Sequence, residues 1–441
     1  MDADEFSQLK RAFMGGFTHA NANYVGKVLE SVASQDFASS YPAVMLLKKF
    51  PMSRAHMVEH HMTEQEFSQL LLTKCCLFDL VLTGVYHRLK HEHPIPRSKC
   101  WICEAPVVDN GRIVMADKIG ITVTEQDFFT FAEFYEWDSM TISNFRYYDR
   151  QYLPHSFAKA ILGLYERKTK LKDVAGEEVN YMISKNMLNA SFGMSVTNPV
   201  RDELEYTDEN TYVKMKPVIE EAIEQYNKNV RRFLFYPWGV WITAYARRNL
   251  FTGIKEMGVD FVYSDTDSIK YLNPQNHNYY FTAYNQKIIA EIAVAAQYHH
   301  VSIDQFSPLN IKGKQKTIGL WDYEGTYDKF KTLGAKRYCS ETNGKFEVTI
   351  AGANKKMAAE YLVKTGDPFG NFDMDLKIPE EYSGRLTSTY IDEEYSGTVL
   401  DYQGVPYDYN EKSAVHLEPS EYNLSMSQEF VDYLKGLRGF D

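Results

Sequence analysis

The segment Phe261-Val262-Tyr263-Ser264-Asp265-Thr266-Asp267-Ser268-Ile269-Lys270-Tyr271 leaves the chain little conformational choice. Two β-prone runs flank a short polar centre, which predicts a hairpin with acidic residues at its tip. Such a tip holds carboxylates at a sheet edge, anchored by rigid strands. Two neighbouring anions repel unless a cation lies between them. Mg2+ suits the position, since it is typically held by one or two carboxylates together with substrate phosphates. Asp-x-Asp is also a common solvated turn, so the segment needs further residues before it reads as a site.

Asp36 supplies one. It ends a predicted strand over 28–38 and precedes a helical stretch opened by Pro42, a residue favoured in the first helical turn. Metals bridged by carboxylates from separate strands clamp the attacking and leaving oxygens of a phosphoryl transfer. Taken alone, Asp36 reads equally as a helix cap. A third element is Lys185-Asn186-Met187-Leu188-Asn189-Ala190-Ser191-Phe192-Gly193. Lys185, Asn189 and Phe192 fall at i, i+4 and i+7 and share one helical face. That face offers a cation, an amide and an aromatic ring, a set suited to a triphosphate and a base. Lys168 and Lys172 also share a face. The plain alternative is a solvated lysine surface with Phe192 in the core.

The remaining pattern is coarser. Residues 1–22 are polar up to Gly15-Gly16, and Asp2, Asp4 and Glu5 read as a frayed end. Residues 64–90 read as helix from their 3.6-type spacing. Asp109-Asn110-Gly111 is a hairpin signal. Residues 155–193 read as two helices, and 198–236 as irregular with one helix near 217–227. From 236 to 340 strands and helices alternate, 345–352 reads as a strand, and the tail as acidic loop. No internal repeat appears.

At 441 residues the chain has a soft prior of about three domains. It contains no 18-residue apolar run and no basic-then-apolar start, so neither a membrane span nor a signal peptide is expected. Five cysteines, an odd number, do not make a disulfide framework and point to a reduced, intracellular chain. The net charge of −11 looks adverse to a nucleic-acid partner. Residues 371–441, however, hold fifteen acidic and five basic residues, a local net of −10, so the preceding 370 carry only −1. Residues 309–338 carry seven basic and three acidic residues interleaved with Trp321, Tyr323, Tyr327, Phe330 and Tyr338, which suits a phosphate-tracking surface.

Together these pieces resemble a known family. Asp36-Phe37-Ala38-Ser39-Ser40-Tyr41-Pro42 resembles motif A of the family B DNA polymerases, Asp-x-x-Ser-x-Tyr-Pro. Lys185 to Gly193 is similar to their motif B, Lys-x-x-x-Asn-Ser-x-Tyr-Gly, and Tyr263 to Ser268 to their motif C, Tyr-x-Asp-Thr-Asp-Ser. Three further stretches resemble the protein-primed phage subgroup. These are Phe13-Met14-Gly15-Gly16 for Tyr-x-Gly-Gly, Thr243-Ala244-Tyr245-Ala246-Arg247 for Thr-x-x-Ala-Arg, and Lys336-Arg337-Tyr338 for Lys-x-Tyr. The resemblance covers about residues 10–360.

What the resemblance implies is an α+β right-hand polymerase. Its palm has an antiparallel sheet and comprises 1–50 and 237–345. A first insertion spans 51–154, two-helix fingers 155–196, a second insertion 197–236, and the thumb with the acidic C-terminal region 346–441. The implied activity is template-dependent transfer of dNMP to a primer 3′ hydroxyl in phage DNA replication. It would use two Mg2+ ions, with Mn2+ as substitute. Asp36 and Asp267 would be the metal ligands, helped by the Phe37 carbonyl, with Asp265 in support. Tyr41 would lie under the deoxyribose, where a 2′-hydroxyl would clash. Lys185, with Lys168 or Lys172, would hold the triphosphate, and Asn189 and Phe192 would line the nascent base pair. Gly15, Gly16, Ser39, Thr243, Arg247, Lys336 and Tyr338 would touch primer–template DNA. The implied partners are primer–template DNA and dNTPs. A terminal protein primer and a separate exonuclease chain stay open, and the implied location is the bacterial host cytoplasm.

Ala190 stands where Ser is usual, and Phe192 and Phe13 where Tyr is usual. None removes a metal ligand. Only 12 residues precede Phe13, too few for the 3′–5′ exonuclease domain common before this motif, so polymerisation without proofreading and weak strand displacement are expected. Two other readings stay open: a polymerase of another template class, against which Thr266 and Ser268 speak, and a degenerate polymerase kept as a DNA-binding scaffold. Cys100-x-x-Cys103, with His91 and His93 nearby, has zinc-knuckle spacing but lacks a clear ligand set. His60-His61 and His299-His300 read as surface or packing residues.

Overall fold

The structure, a computed structural model, describes residues 1–441 except 90–91, 207–211, 233, 392–394, 401–402, 412–413 and 439–441. The chain forms two compact units. One comprises Met1–Asn23, Ala33–Gly325 and Asp432–Asp441, the other Tyr24–Val32 and Thr326–Val431.

In the first unit the acidic hairpin lies inside an antiparallel sheet. Phe261–Asp265 pairs with Ser268–Tyr271 on one side and Thr18–Ala20 on the other. Ser268–Tyr271 pairs in turn with Ala33–Asp36, part of the strand Leu29–Phe37. The register aligns Thr18, Asp265, Ser268 and Asp36 in one transverse row. β-branched and aromatic residues drive these strands together: Phe261, Val262, Tyr263, Ile269 and Tyr271 are all fully buried. Against them packs the helix Tyr236–Met257, in which Val240, Trp241, Ile242, Ala244, Leu250 and Ile254 are also buried. The core of this unit runs continuously from Phe6 to Trp321.

A second sheet is built on Cys75–His87, Arg112–Thr124 and Ser139–Tyr148. Its Asp109-Asn110-Gly111 turn forms as expected, with φ 44° at Asn110 and 81° at Gly111, the left-handed pair that a two-residue hairpin requires. The two helices expected over 155–193 are His155–Leu171 and Glu178–Gly193. The helix near 217–227 is Ile219–Lys228, and Lys345–Ile350 is the expected strand.

Four expectations need correction. The helix beginning at 64 ends at Thr73, and Cys75–His87 is a strand. The run CysCysLeuPheAspLeu is buried on both faces, and such a run carries no periodicity that separates a central strand from a buried helix. The N-terminal residues are not frayed. Ala3–Ala12 is a helix whose Asp2 accepts from the Glu5 N–H at 2.7 Å, and buried Glu5 accepts from the Tyr148 hydroxyl at 2.9 Å. The helix of Pro42 starts earlier, at Ser40. The tail is more ordered than loop. It contains the helix Lys355–Lys364 and the strand pairs Arg385–Ile391 with Ala414–Ser420 and Tyr395–Leu400 with Pro406–Glu411.

The second unit has its own core of Leu333, Cys339, Val348, Ile350, Leu362, Phe369 and Phe372. All five cysteines are free thiols. Among the described residues no helix is long and apolar enough to cross a membrane.

The approach of Tyr236–Met257 to the turn Met194–Val196 is set by Gly239. A Cβ there would lie 2.5 Å from Ser195 Oγ and overlap the Val196 side chain. Alanine in place of glycine normally favours a helix by up to about 1 kcal/mol, whereas overpacking costs about 1–3 kcal/mol. Gly239→Ala is therefore expected to destabilise the protein by about 1 kcal/mol or more, read as a lower urea midpoint at unchanged m.

Candidate active site

Strand pairing brings the two acidic segments together. The Phe37 N–H donates to the Asp267 carbonyl at 2.8 Å, and the Asp267 N–H to the Asp265 carbonyl at 2.6 Å. Between the two acids Thr266 adopts a left-handed φ of 60°, and its N–H donates to Phe17 O at 2.7 Å. The three carboxylates are not equivalent. Asp265 Oδ1 accepts from the Thr18 hydroxyl at 2.9 Å and the Thr266 hydroxyl at 3.1 Å, so it is tied into the turn. Asp36 and Asp267 carry the electrostatic load. Burial, then the negative charges of Asp267 and Glu324, push the Asp36 carboxyl up to about 8. Burial, then Asp265, push Asp267 up to about 6. A divalent cation between them would reverse both shifts. Among the described residues no group of three or more His, Cys, Asp or Glu side chains is arranged to hold a metal. A cation here would need further oxygens, such as those of a phosphate-bearing ligand, the pattern usual for Mg2+.

Sequence reasoning gave no role to Lys270, Ser34 or Glu324. The Lys270 ammonium is buried, donates to Ser34 Oγ at 2.7 Å and lies 3.6 Å from Glu324. Burial lowers its pKa, while the charges of Glu324, Asp36 and Asp267 oppose that. Ser34 also donates to Glu324 at 2.7 Å. The available signal was a lysine inside an otherwise apolar strand, since Lys is almost never fully buried unless paired.

The cations expected at a triphosphate gather nearby. Lys168 donates to Ser39 Oγ at 2.8 Å. Its pKa is lowered by burial and by Lys185 and Lys172, and raised by Asp36 and Asp267, so all five charges act on one region. The Lys185 ammonium lies 6.0 Å from the Tyr181 ring centroid. Asn189 is exposed on the same helix, and Phe192 packs against Tyr41 with ring centroids 4.4 Å apart and planes at 31°. Gly15 and Gly16 are both exposed.

Thr243 and Arg247 face inward. Thr243 is fully buried and returns its hydroxyl to Val240 O at 3.1 Å. The Arg247 guanidinium makes a fork with Asp127 at 2.8 and 2.9 Å and donates to Met14 O and, at 2.9 Å, to Gly15 O. Asp127 is a further residue that sequence reasoning missed. Lys336 and Tyr338 belong to the second unit. Lys336 is exposed at φ 55°, and Tyr338 stacks on Phe330 at 5.4 Å. Within the basic segment Lys314 and Lys316 pair with Asp322, and buried Lys331 donates to Phe369 O at 2.7 Å.

No zinc site forms at Cys100 and Cys103 among the described residues, and His91 lies outside them. Burial pushes the Cys100 thiol up to about 12. His299 is buried against His155, while His60 is exposed beside Glu66.

Comparison with known proteins follows this geometry. The family described as DNA polymerase type B, organellar and viral, matches residues 1–245. The DNA polymerases of Bacillus phages PZA and phi29 are each 22% identical over 377 residues, covering 80% of this chain and 56% of their own length. Structures of phi29 DNA polymerase with primer-template DNA and with single-stranded DNA share its fold at TM-score 0.60 and 16% identity. They cover 96% of this chain and 63% of theirs. The chain thus spans little more than half the length of the curated relatives it matches.

The raised pKa of Asp36 has a signed consequence. Between its ordinary value near 4 and about 8 the folded state binds more protons than the unfolded one, so stability falls as pH rises. Asp36→Asn removes this cost. In metal-free buffer the melting temperature of Asp36→Asn is expected to match the parent near pH 4, exceed it increasingly above that, and lie a few degrees or more higher at pH 8. Millimolar Mg2+ should raise the parent and not the variant.

Proposed function

Because the chain belongs to the organellar and viral type B DNA polymerases, we propose that it is a DNA-directed DNA polymerase of viral or phage replication. It transfers dNMP from a dNTP to a primer 3′ hydroxyl. The observation that carries this reading is the Asp36–Asp267 pair, two half-buried carboxylates brought together by adjacent strands with Lys168 acting on both. The right-hand division follows from the same reading: palm at 1–50 and 237–345, first insertion at 51–154, fingers at 155–196, second insertion at 197–236, thumb with the acidic tail at 346–441.

Asp36 and Asp267, with the Phe37 carbonyl, would hold two Mg2+ ions or Mn2+ in their place. Bound there, the ions stabilise the charge that develops on the attacking and leaving oxygens of phosphoryl transfer. The chain's own residues do the rest. Lys185, Lys168 and Lys172 neutralise the triphosphate and orient it in line with the primer. Asp265, held by Thr18 and Thr266, fixes the turn that carries Asp267. The Tyr41 ring, backed by Phe192, excludes a ribose 2′-hydroxyl by contact. Asn189 faces the nascent pair. Ser39, Lys336 and Tyr338 serve the primer–template, and Gly15 and Gly16 border the template. Thr243 and Arg247 support that border from inside, a role suited to their burial. A terminal protein primer and a separate exonuclease chain remain the further partners of this reading, and the host cytoplasm its location.

Primer extension with Mg2+ tests the assignment. Asp267→Asn is expected to lower single-nucleotide incorporation by at least about 10³-fold, in keeping with the large share of catalysis carried by charge stabilisation, while leaving primer–template affinity near the parent value. Incorporation within tenfold of the parent would refute the role of this carboxylate. Lys336→Ala is expected to weaken primer–template binding and reduce its salt slope by about one unit, with dNTP affinity unchanged. A changed dNTP affinity with normal DNA binding would move Lys336 to the nucleotide site.

A further inference from the structure

Gly16 occupies a contact that no other residue type could make. It is exposed, and its backbone lies outside the left-handed region, so nothing in its own conformation demands glycine. The demand comes from its neighbours. A Cβ at position 16 would lie 2.7 Å from Thr266 Cγ2, 2.9 Å from Thr266 Oγ1 and 3.0 Å from Tyr41 Oη. Real Cβ atoms do not approach that closely, so one of three parts has to move.

Two of the three are fixed. The segment before Gly16 is pinned from below, because Arg247 donates to the carbonyls of Met14 and Gly15 and is itself clamped by buried Asp127. Thr266 is held at the hairpin tip. Its N–H donates to Phe17 O at 2.7 Å, and its hydroxyl donates to Asp265 at 3.1 Å. Both are fixed through their backbones, which leaves side chains to give: that of Thr266, which makes the closest overlaps, and the Tyr41 hydroxyl, the far end of a long side chain that rests on Phe192.

We propose that Gly16 is a positioning residue for sugar selection: its missing side chain leaves room for the Thr266 side chain and the Tyr41 hydroxyl beside it, and that seat sets how closely the Tyr41 ring meets the sugar of an incoming nucleotide. The inference rests on the reading of Tyr41 as the residue that excludes a ribose. Substrate discrimination at this chain is then a property of three elements: the Gly15-Gly16 segment, the acidic hairpin and the helix of Tyr41. Arg247 holds the first of these through the Met14 and Gly15 carbonyls.

The test compares dCTP with rCTP opposite a templating dG, as the ratio of kcat/KM values, in the parent, Gly16→Ala, Tyr41→Val, Tyr41→Phe and Gly16→Ala/Tyr41→Phe. Melting temperatures confirm that each variant is folded. Equilibrium binding of the two nucleotides to the primer–template complex gives the same ratio without turnover. Gly16→Ala is expected to lower discrimination about tenfold, the scale of one misplaced methyl-sized contact. In the Tyr41→Phe background, which keeps the ring and removes the obstructing oxygen, the same alanine is expected to change the ratio less than threefold. Parental discrimination in Gly16→Ala together with relaxed discrimination in Tyr41→Val overturns the inference and leaves the Tyr41 reading standing. An equal loss from Gly16→Ala in both backgrounds also overturns it, since the effect would not run through Tyr41. Parental discrimination in Tyr41→Val removes the Tyr41 reading itself, and the inference with it.

Discussion

The structure is organised around a repulsion. Backbone pairing between Ser268–Tyr271 and Ala33–Asp36 obliges Asp36 and Asp267 to share one half-buried corner. Hydrogen bonding of the strands fixes their separation, so the charges cannot relax by moving apart. The surroundings manage the field instead. Asp265 accepts from two hydroxyl donors and adds its own charge to the field at Asp267. Lys270 is buried in the same sheet, and Lys168 is held by Ser39. Burial depresses the pKa of both, Lys185 and Lys172 add to this at Lys168, and the nearby acids oppose it. What remains uncompensated is the affinity of the two acids for a further cation.

A second buried charge pair holds the frame in which this happens. Arg247 and Asp127 are both almost fully buried, and such a pair adds little to net stability because desolvation offsets most of the attraction. Its use is geometric. The remaining guanidinium donors reach the carbonyls of Met14 and Gly15, groups that a loop would otherwise leave unsatisfied beside the hairpin. A planar fork serves two clients at once, which a lysine in this position could not do.

Much of this was legible in the sequence because it was local. The β-runs about Asp265 and Asp267, the strand before Asp36, the Asn110-Gly111 turn and the helical face of Lys185 and Phe192 all follow from spacing over a few residues. The failures were tertiary. Cys75–His87 is a strand only because both its faces are covered, and cover is not written in the segment itself. Phe6, Leu9 and Ala12 make Ala3–Ala12 a core helix, but they are spaced among charges that read as a loose end. Lys270 and Glu324 are about fifty residues apart and meet only once the sheet has formed. Arg247 was singled out by the stretch Thr243 to Arg247, and its partner Asp127 could not be, since nothing in the sequence joins positions 120 apart.

The departures from the family pattern fit the same logic. Phe192 stands where Tyr is usual, and its ring packs on Tyr41 at the margin of the core. An aromatic pair of this kind contributes about 0.5–1.5 kcal/mol through the rings alone. A hydroxyl on Phe192 would add a polar atom needing a partner, at a cost of about 1–3 kcal/mol if buried without one. Phe13 is likewise packed against the core. Ala190 is exposed, so the hydroxyl usual at this position would gain only contacts that water already supplies. Phe192 and Phe13 trade hydrogen-bonding capacity for packing at positions where the structure offers packing, while Ala190 gives up little in solvent. Charge is conserved where the field of Asp36 and Asp267 needs it, and the aromatic floor beneath Tyr41 is kept by shape alone.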